Sequence, residues 1–297
     1  MKELIKKTSP YTISKSILKL IKENPAKFKA IQSLDEFFEF LFDGLNNIYG
    51  EKALNNIRTF LTQIATVDKL TISDVILFIT KNVEFENRVR EREIGCGFDK
   101  KFNTTTSMIV DNFDFEEIVS EFDISNYVRY VPTSIDLVYK IFSLLKETDI
   151  VFENSTFIDV GSGIGRNLLI ASEYPFNKII GIEISRKLHD IAEKNIIQYK
   201  NKIQKCRNIE SICINILDFV FTDKNNLILY FYNPFSEKVF DVLFEKILNS
   251  ISQKECKFTL MFLNVLYNRI EKTAFFKKEK SFQSKYDNFS IYVSCVN

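Results

Sequence analysis

Phe157-Ile158-Asp159-Val160-Gly161-Ser162-Gly163-Ile164-Gly165-Arg166 reads as an apolar strand, a bend with glycine at alternate positions, and the start of a helix. The chain has only eight glycines in 297 residues, so three within five mark a place from which side chains are excluded. Glycine removes the Cβ, letting the backbone approach a ligand closely and turn tightly into the helix. The helix N-terminus then offers N–H groups and partial positive charge to an anionic group. A dinucleotide site would read G-x-G-x-x-G and needs glycine at 166, where arginine stands; a P-loop would need Gly-Lys-Ser/Thr, which does not follow. The remaining alternative without a ligand is a tight strand-to-helix turn.

Outward from this bend, strands and helices alternate. Thr156–Val160, Lys178–Ile182, Ser211–Ile216, Leu227–Tyr232 and Phe258–Leu263 read as strands, with helices at Arg166–Ser172, Arg186–Tyr199 and Lys238–Ser250. Phe282–Lys285 and Phe289–Ser294, separated by Tyr286-Asp287-Asn288, read as a closing hairpin. Such alternation predicts an α/β fold: a Rossmann-like, seven-stranded, mainly parallel sheet with helices on both faces. Thr133 or Ser134 can cap a helix that carries Val138, Ile141, Phe142 and Leu145 on one face.

The N-terminal region is helical. Ser33-Leu34-Asp35-Glu36 fits a capping box, and Leu34, Phe37, Phe38, Leu41, Phe42 and Leu45 form one apolar face that closes near Gly44. Weaker helical patterns cover Ile13–Ile21, Ala53–Val67 and Ser73–Val89. The expected division is a helical region over 1–100, an irregular connector over 101–130 and a ligand-binding domain over 131–297.

Composition narrows the function classes. Forty basic residues against 39 acidic ones give no footprint for non-specific nucleic-acid binding. No run approaches the ~18 apolar residues of a membrane helix, and the N-terminus lacks the apolar segment of a signal peptide. Five cysteines without C-x-x-C spacing and a single histidine, His189, supply no zinc set. Reduced thiols in a cytoplasm are the expectation.

Two further acids follow the bend. Ile179-Ile180-Gly181-Ile182-Glu183 is an apolar strand ending in a carboxylate 18 residues beyond Gly165, suited to accept both hydroxyls of a ribose. Ile214-Asn215-Ile216-Leu217-Asp218-Phe219 ends a third apolar stretch in another acid. The G-x-G-x-G spacing, with Asp159 two residues ahead, resembles motif I of class I S-adenosylmethionine-dependent methyltransferases. The resemblance covers roughly residues 130–295. It implies S-adenosyl-L-methionine as cofactor and S-adenosyl-L-homocysteine as product. Asp159, Gly161, Ser162, Gly163 and Gly165 would surround the amino-acid end of the donor, with backbone N–H groups around Gly161–Gly163 meeting it. Glu183 would hold the ribose and Asp218 the adenine amino group, with Phe219 against the ring.

Tyr230-Phe231-Tyr232-Asn233-Pro234-Phe235 is similar to the Asn/Asp-Pro-Pro-Tyr/Phe motif of amino-group methyltransferases with one proline missing. That likeness implies that the Asn233 amide oxygen and the next carbonyl accept hydrogen bonds from an amine and aim its lone pair. Phe235 would pack the acceptor and Pro234 would fix the turn; a plain strand-end turn stays open as the alternative. Tyr130-Val131-Pro132-Thr133-Ser134-Ile135-Asp136-Leu137-Val138 resembles the segment ahead of motif I in non-SET histone-lysine methyltransferases. Thr133 and Ser134 become cofactor contacts on that likeness, with helix capping as the other reading. The run from Phe98, Asp99, Phe102 and Thr106 through motif I to Asn-Pro-Phe is similar to bacterial class I methyltransferases of undefined substrate.

These features lead to N-methylation of an amine acceptor, in a protein lysine or a small molecule. A non-catalytic S-adenosylmethionine-binding module, a small-molecule O-methyltransferase and a nicotinamide oxidoreductase are the rivals. No strong base stands near the expected acceptor, which disfavours an unactivated alcohol. His189 is expected in packing rather than catalysis, and no metal is expected. The N-terminal helices are expected to cap the acceptor side of the pocket or to form a homodimer.

Overall fold

In the computed structural model the described residues are 10–46, 49, 70–110, 128–221, 226–253, 257–265 and 267–295. The alternating pattern builds β1 (Ser155–Val160), β2 (Lys178–Glu183), β3 (Ile209–Cys213), β4 (Asn226–Phe231), β5 (Phe258–Leu263), β6 (Phe276–Gln283) and β7 (Asn288–Ser294). They form one sheet in the order β3-β2-β1-β4-β5-β7-β6. The first five strands are parallel, and β7 enters antiparallel between β5 and β6. This is the seven-stranded, mainly parallel Rossmann-like sheet that the sequence predicts.

Side chains alternate across a strand, so each strand feeds two cores. Ile158, Val160, Leu229 and Phe231 pack with the helix Glu237–Ser252 through Val239, Phe240, Leu243 and Phe244. On the other face Phe157, Ile179 and Tyr230 meet Val138, Ile141, Phe142 and Leu145 of the helix Ile135–Lys146. Both faces being covered, the central strands are near-continuous apolar runs.

The chain divides into two compact units, Met1–Gly95 and Cys96–Asn297. Within the first, the helices Pro10–Glu23 and Leu34–Asn46 share a core of Ile13, Ile17, Leu20, Phe37, Leu41 and Leu45. The Ser33 hydroxyl accepts from the Glu36 amide at 3.2 Å, while the Glu36 carboxylate reaches past Ser33 to the Gln32 amide at 2.8 Å. The helix closes at Asn46, two residues past Gly44. A Cβ there would come within 2.4 Å of Leu20, so the glycine lets two helices touch. The helix predicted over Ala53–Val67 lies outside the described residues.

Three boundaries differ from expectation. The helix predicted over Ser73–Val89 runs over Ile72–Cys96. β3 starts earlier and stops at Cys213, because the Asn215 side chain accepts the Leu217 amide at 3.0 Å and begins a 3-10 turn over Ile216–Asp218. β6 extends back to Phe276 through Lys277-Lys278-Glu279-Lys280, mostly exposed charges on an edge strand that lack an apolar alternation. The described part of the expected connector belongs to the second unit. Thr104, Thr106 and Ser107 wrap onto Asp99, and Val110 pairs with Tyr130.

Candidate functional site

The chain leaves β1 toward β2 and β3, then returns to lay β4 against the other side of β1, so a crevice opens at the carboxyl ends of β1, β2 and β4. A cleft of the second unit lies there. It is lined by Gly161 and Ser162 after β1, Glu183 at the end of β2 and Ile184 after it, Ile214–Ile216 after β3, and Tyr232–Phe235 after β4.

Gly161 and Gly163 have φ of 77° and 55°, the left-handed region that costs any other residue strain. Close approach demands glycine as well. A Cβ on Gly161 would lie 2.8 Å from Pro234, and one on Gly163 would lie 2.0 Å from the Tyr130 ring. The loop amides differ from expectation. Gly161 and Ser162 both donate to Ile182 O, at 2.9 and 3.0 Å, and Gly163 donates to Glu183 Oε2 at 2.8 Å. These N–H groups lock the bend to the end of β2 rather than pointing into the cleft.

Glu183 is 4% exposed, and its other oxygen accepts the Ser185 amide at 2.8 Å. Burial raises its pKa to about 6 against the pull of the Ser185, Gly163 and Ile184 amides. Asp159, 2% exposed, is held up at about 7 by burial and by the Glu183 charge, while a hydrogen bond from Asn167 Nδ2 at 3.2 Å works the other way. Two buried acids with raised pKa values suit a ligand that brings hydroxyl or ammonium donors. The Asn167 Oδ1 and Ser162 Oγ atoms, also buried, have no partner. Ile182, Ile184, Leu188, Ile214 and Ile216 give the wall beside Glu183 an apolar surface of the kind that takes a flat base. Acids, apolar slot and glycine bend together fit a nucleoside with an amino-acid tail.

Asp218 does not join them. It is exposed at the end of the 3-10 turn, and the buried Asn215 lines the cleft in its stead. Phe219 turns away to pack edge-on with Phe221 at 5.5 Å. Ser134 caps the helix Ile135–Lys146 by accepting the Leu137 amide at 3.3 Å, and it does not line the cleft. Thr133 does, with its hydroxyl 3.5 Å from the Tyr230 hydroxyl. Gly165 caps the following helix with φ of 85°.

At the other end of the cleft Asn233 adopts φ of 44°, a left-handed conformation for a residue preceding proline. The Pro234 carbonyl accepts the Val128 amide at 3.2 Å. Phe235 is mostly core: its ring stacks with Tyr267 at 6.2 Å and meets Phe231 edge-on, and Tyr267 donates to its carbonyl at 3.0 Å. It nevertheless borders the cleft, with Tyr130 and Tyr232.

Arg166 is a functional candidate that the sequence reading left as a mere non-glycine. It is 1% exposed and lines the cleft, and its partners Thr106 and Thr133 lie 60 and 33 positions away. His189 is buried with Nδ1 2.9 Å from Ser211 Oγ. It forms, with the exposed Asp190 and Glu193, the one group of metal-ligand type among the described residues. No described helix is long and apolar enough to cross a membrane.

With this geometry in view, comparison with known proteins finds a match in the same region. Residues 121–229 match the family model of the histone methylation protein DOT1. No curated protein matches the sequence. Similar solved structures include an RNA methyltransferase from Salinibacter ruber in complex with S-adenosyl-L-homocysteine. It is 17% identical over 55% of this chain and 94% of that one, with a TM-score of 0.40. Another is the putative methyltransferase yhhF from Escherichia coli, 17% identical over 56% and 88%, with a TM-score of 0.41. A third is TrmK from M. capricolum with S-adenosyl-homocysteine, 13% identical over 52% and 67%, with a TM-score of 0.36.

Proposed function

We propose that the chain is an S-adenosyl-L-methionine-dependent methyltransferase that methylates the nitrogen of an amine acceptor, in a protein lysine or a small molecule. The observation that carries the reading is the buried Glu183 carboxylate, bonded to the glycine bend and flanked by an apolar slot, with Asn233-Pro234 closing the same cleft. When bound, the donor supplies a methyl group already activated by a sulfonium. Glu183 accepts the ribose hydroxyls, Ile184, Leu188 and Ile216 flank the base, and Asp159 receives the α-ammonium group.

Position and water exclusion are most of what the protein adds to an in-line displacement. The Asn233 amide oxygen and the Pro234-side backbone orient the acceptor N–H groups so that the lone pair faces the methyl carbon. Tyr130, Tyr232 and Phe235 desolvate the amine, which lowers its pKa and favours the neutral, nucleophilic form. The N–C bond forms as the S–C bond breaks, and the surplus proton on nitrogen passes to solvent. The expected N–H acceptor, rather than a base, is the reason nitrogen is favoured over oxygen.

Incubation with methyl-labelled donor and fractionated lysate tests this reading. Label should enter protein or small amines with the wild type. Asn233→Ala should lower transfer about a hundredfold, the loss of a key orienting group, and leave S-adenosyl-L-homocysteine affinity nearly intact. Unchanged turnover in that variant would remove Asn233 from the mechanism, and label confined to hydroxyl groups would replace nitrogen by oxygen.

A further inference from the structure

We propose that Arg166 is a positioning residue for the amino-acid end of the donor, acting through the segments around Thr106 and Thr133. The inference rests on the donor reading given above and adds to it a relay that sets the cleft wall.

Arg166 is the largest of the fully buried side chains among the described residues. Its Nε donates to Thr106 Oγ1 at 3.0 Å, one terminal nitrogen to Thr133 O at 2.9 Å, and the other to Ser107 Oγ at 2.9 Å. Thr106 passes the contact on: its hydroxyl donates to Asp99 Oδ1 at 2.6 Å, and its amide to the same carboxylate at 2.8 Å. The Ser107 amide and the Thr104 hydroxyl complete the set around Asp99, each at 2.9 Å. Burial works to raise the Asp99 carboxyl, but these donors outweigh it and hold the pKa below its usual value. An anion, half-buried, and a buried cation thus face each other across a hydroxyl relay, and such a pair is weak evidence for a role in stability. What the relay fixes is geometry.

Its far end is the donor side of the cleft. Arg166 holds the Thr133 carbonyl, and the Thr133 hydroxyl lies beside Tyr230, the residue paired with Asp159 across β1 and β4. Tyr130, three residues earlier, lies on Gly163, and its hydroxyl reaches Thr106 O at 3.4 Å. The relay therefore sets the wall beside Asp159, where the charged tail of the donor lies, and reaches the ribose slot only at second hand, through the Gly163 amide on Glu183.

Calorimetry with two ligands separates the ends of the cleft. S-Adenosyl-L-homocysteine carries the amino-acid tail, and 5′-methylthioadenosine has the same nucleoside without it. Thr106→Val removes the relay hydroxyl with little change of shape. It should weaken S-adenosyl-L-homocysteine about tenfold, the worth of one hydrogen bond to a charged group, and leave 5′-methylthioadenosine within about twofold. Thr106→Ser should restore wild-type affinity. Arg166→Lys keeps the charge but loses the fork and should show the same selective loss. Equal weakening of both ligands, or none of either, overturns the proposal while the donor reading stands. A wild type that binds neither ligand removes both.

Discussion

The apolar runs of β2 and β3 each lead into a carboxylate in a closely similar sequence setting, yet the fold treats the two in opposite ways. Glu183 stays on the strand, is buried, and binds the glycine bend. Asp218 lies five residues past its strand, exposed on a turn that Asn215 initiates. β2 is flanked by β1 and β3, so its last residue is held at the crevice; β3 is the sheet edge, and its chain can leave early. An acid after an apolar run faces the crevice only where neighbouring strands hold it in place.

Substitutions at the two ends sharpen the contrast. Glu183→Ala should weaken S-adenosyl-L-homocysteine by about two orders of magnitude, since two charge-assisted hydrogen bonds are lost; calorimetry reads this directly. An effect below fivefold would erase the distinction between the strands. The next largest effect is on pH. Burial favours neutral Asp159 and Glu183 in the ligand-free protein. Their contribution to stability is therefore complete below the ordinary carboxylate range and is lost as pH rises through about 6 and about 7. Donor binding needs the ionised acids, so affinity should rise over the same interval. In Asp159→Asn the upper part of both slopes should flatten, as melting temperature and titration at pH 5 to 8 would show. Asn215→Ala should cost the base slot about fivefold, the value of one ordinary hydrogen bond. Asp218→Asn should change affinity by less than about twofold, as expected of an exposed charge.

The same contrast explains what the sequence makes legible. β1, β2, β4 and β5 are apolar because both of their faces are covered, and their limits are visible within a residue or two. β6 is an edge strand whose Lys277, Lys278 and Lys280 hide its strand character. The glycine bend is local, so its geometry follows from residue type. The orientation of its amides is not local: they bind Ile182 and Glu183, some twenty residues away. Arg166 is the extreme case, because its partners come from two segments far upstream and no spacing rule connects them. Asn233 and Pro234 are readable as a turn, whereas the Val128 amide on Pro234 is a tertiary contact that no local pattern encodes.

The central claim is that the bend after β1 and the carboxylate at the end of β2 together hold an adenosyl donor. Competitive titration of the full chain with S-adenosyl-L-homocysteine and NADH tests it most directly. The account predicts saturable binding of S-adenosyl-L-homocysteine that NADH does not displace and that Glu183→Ala weakens about a hundredfold. Binding of NADH alone, or S-adenosyl-L-homocysteine affinity indifferent to Glu183, would contradict it.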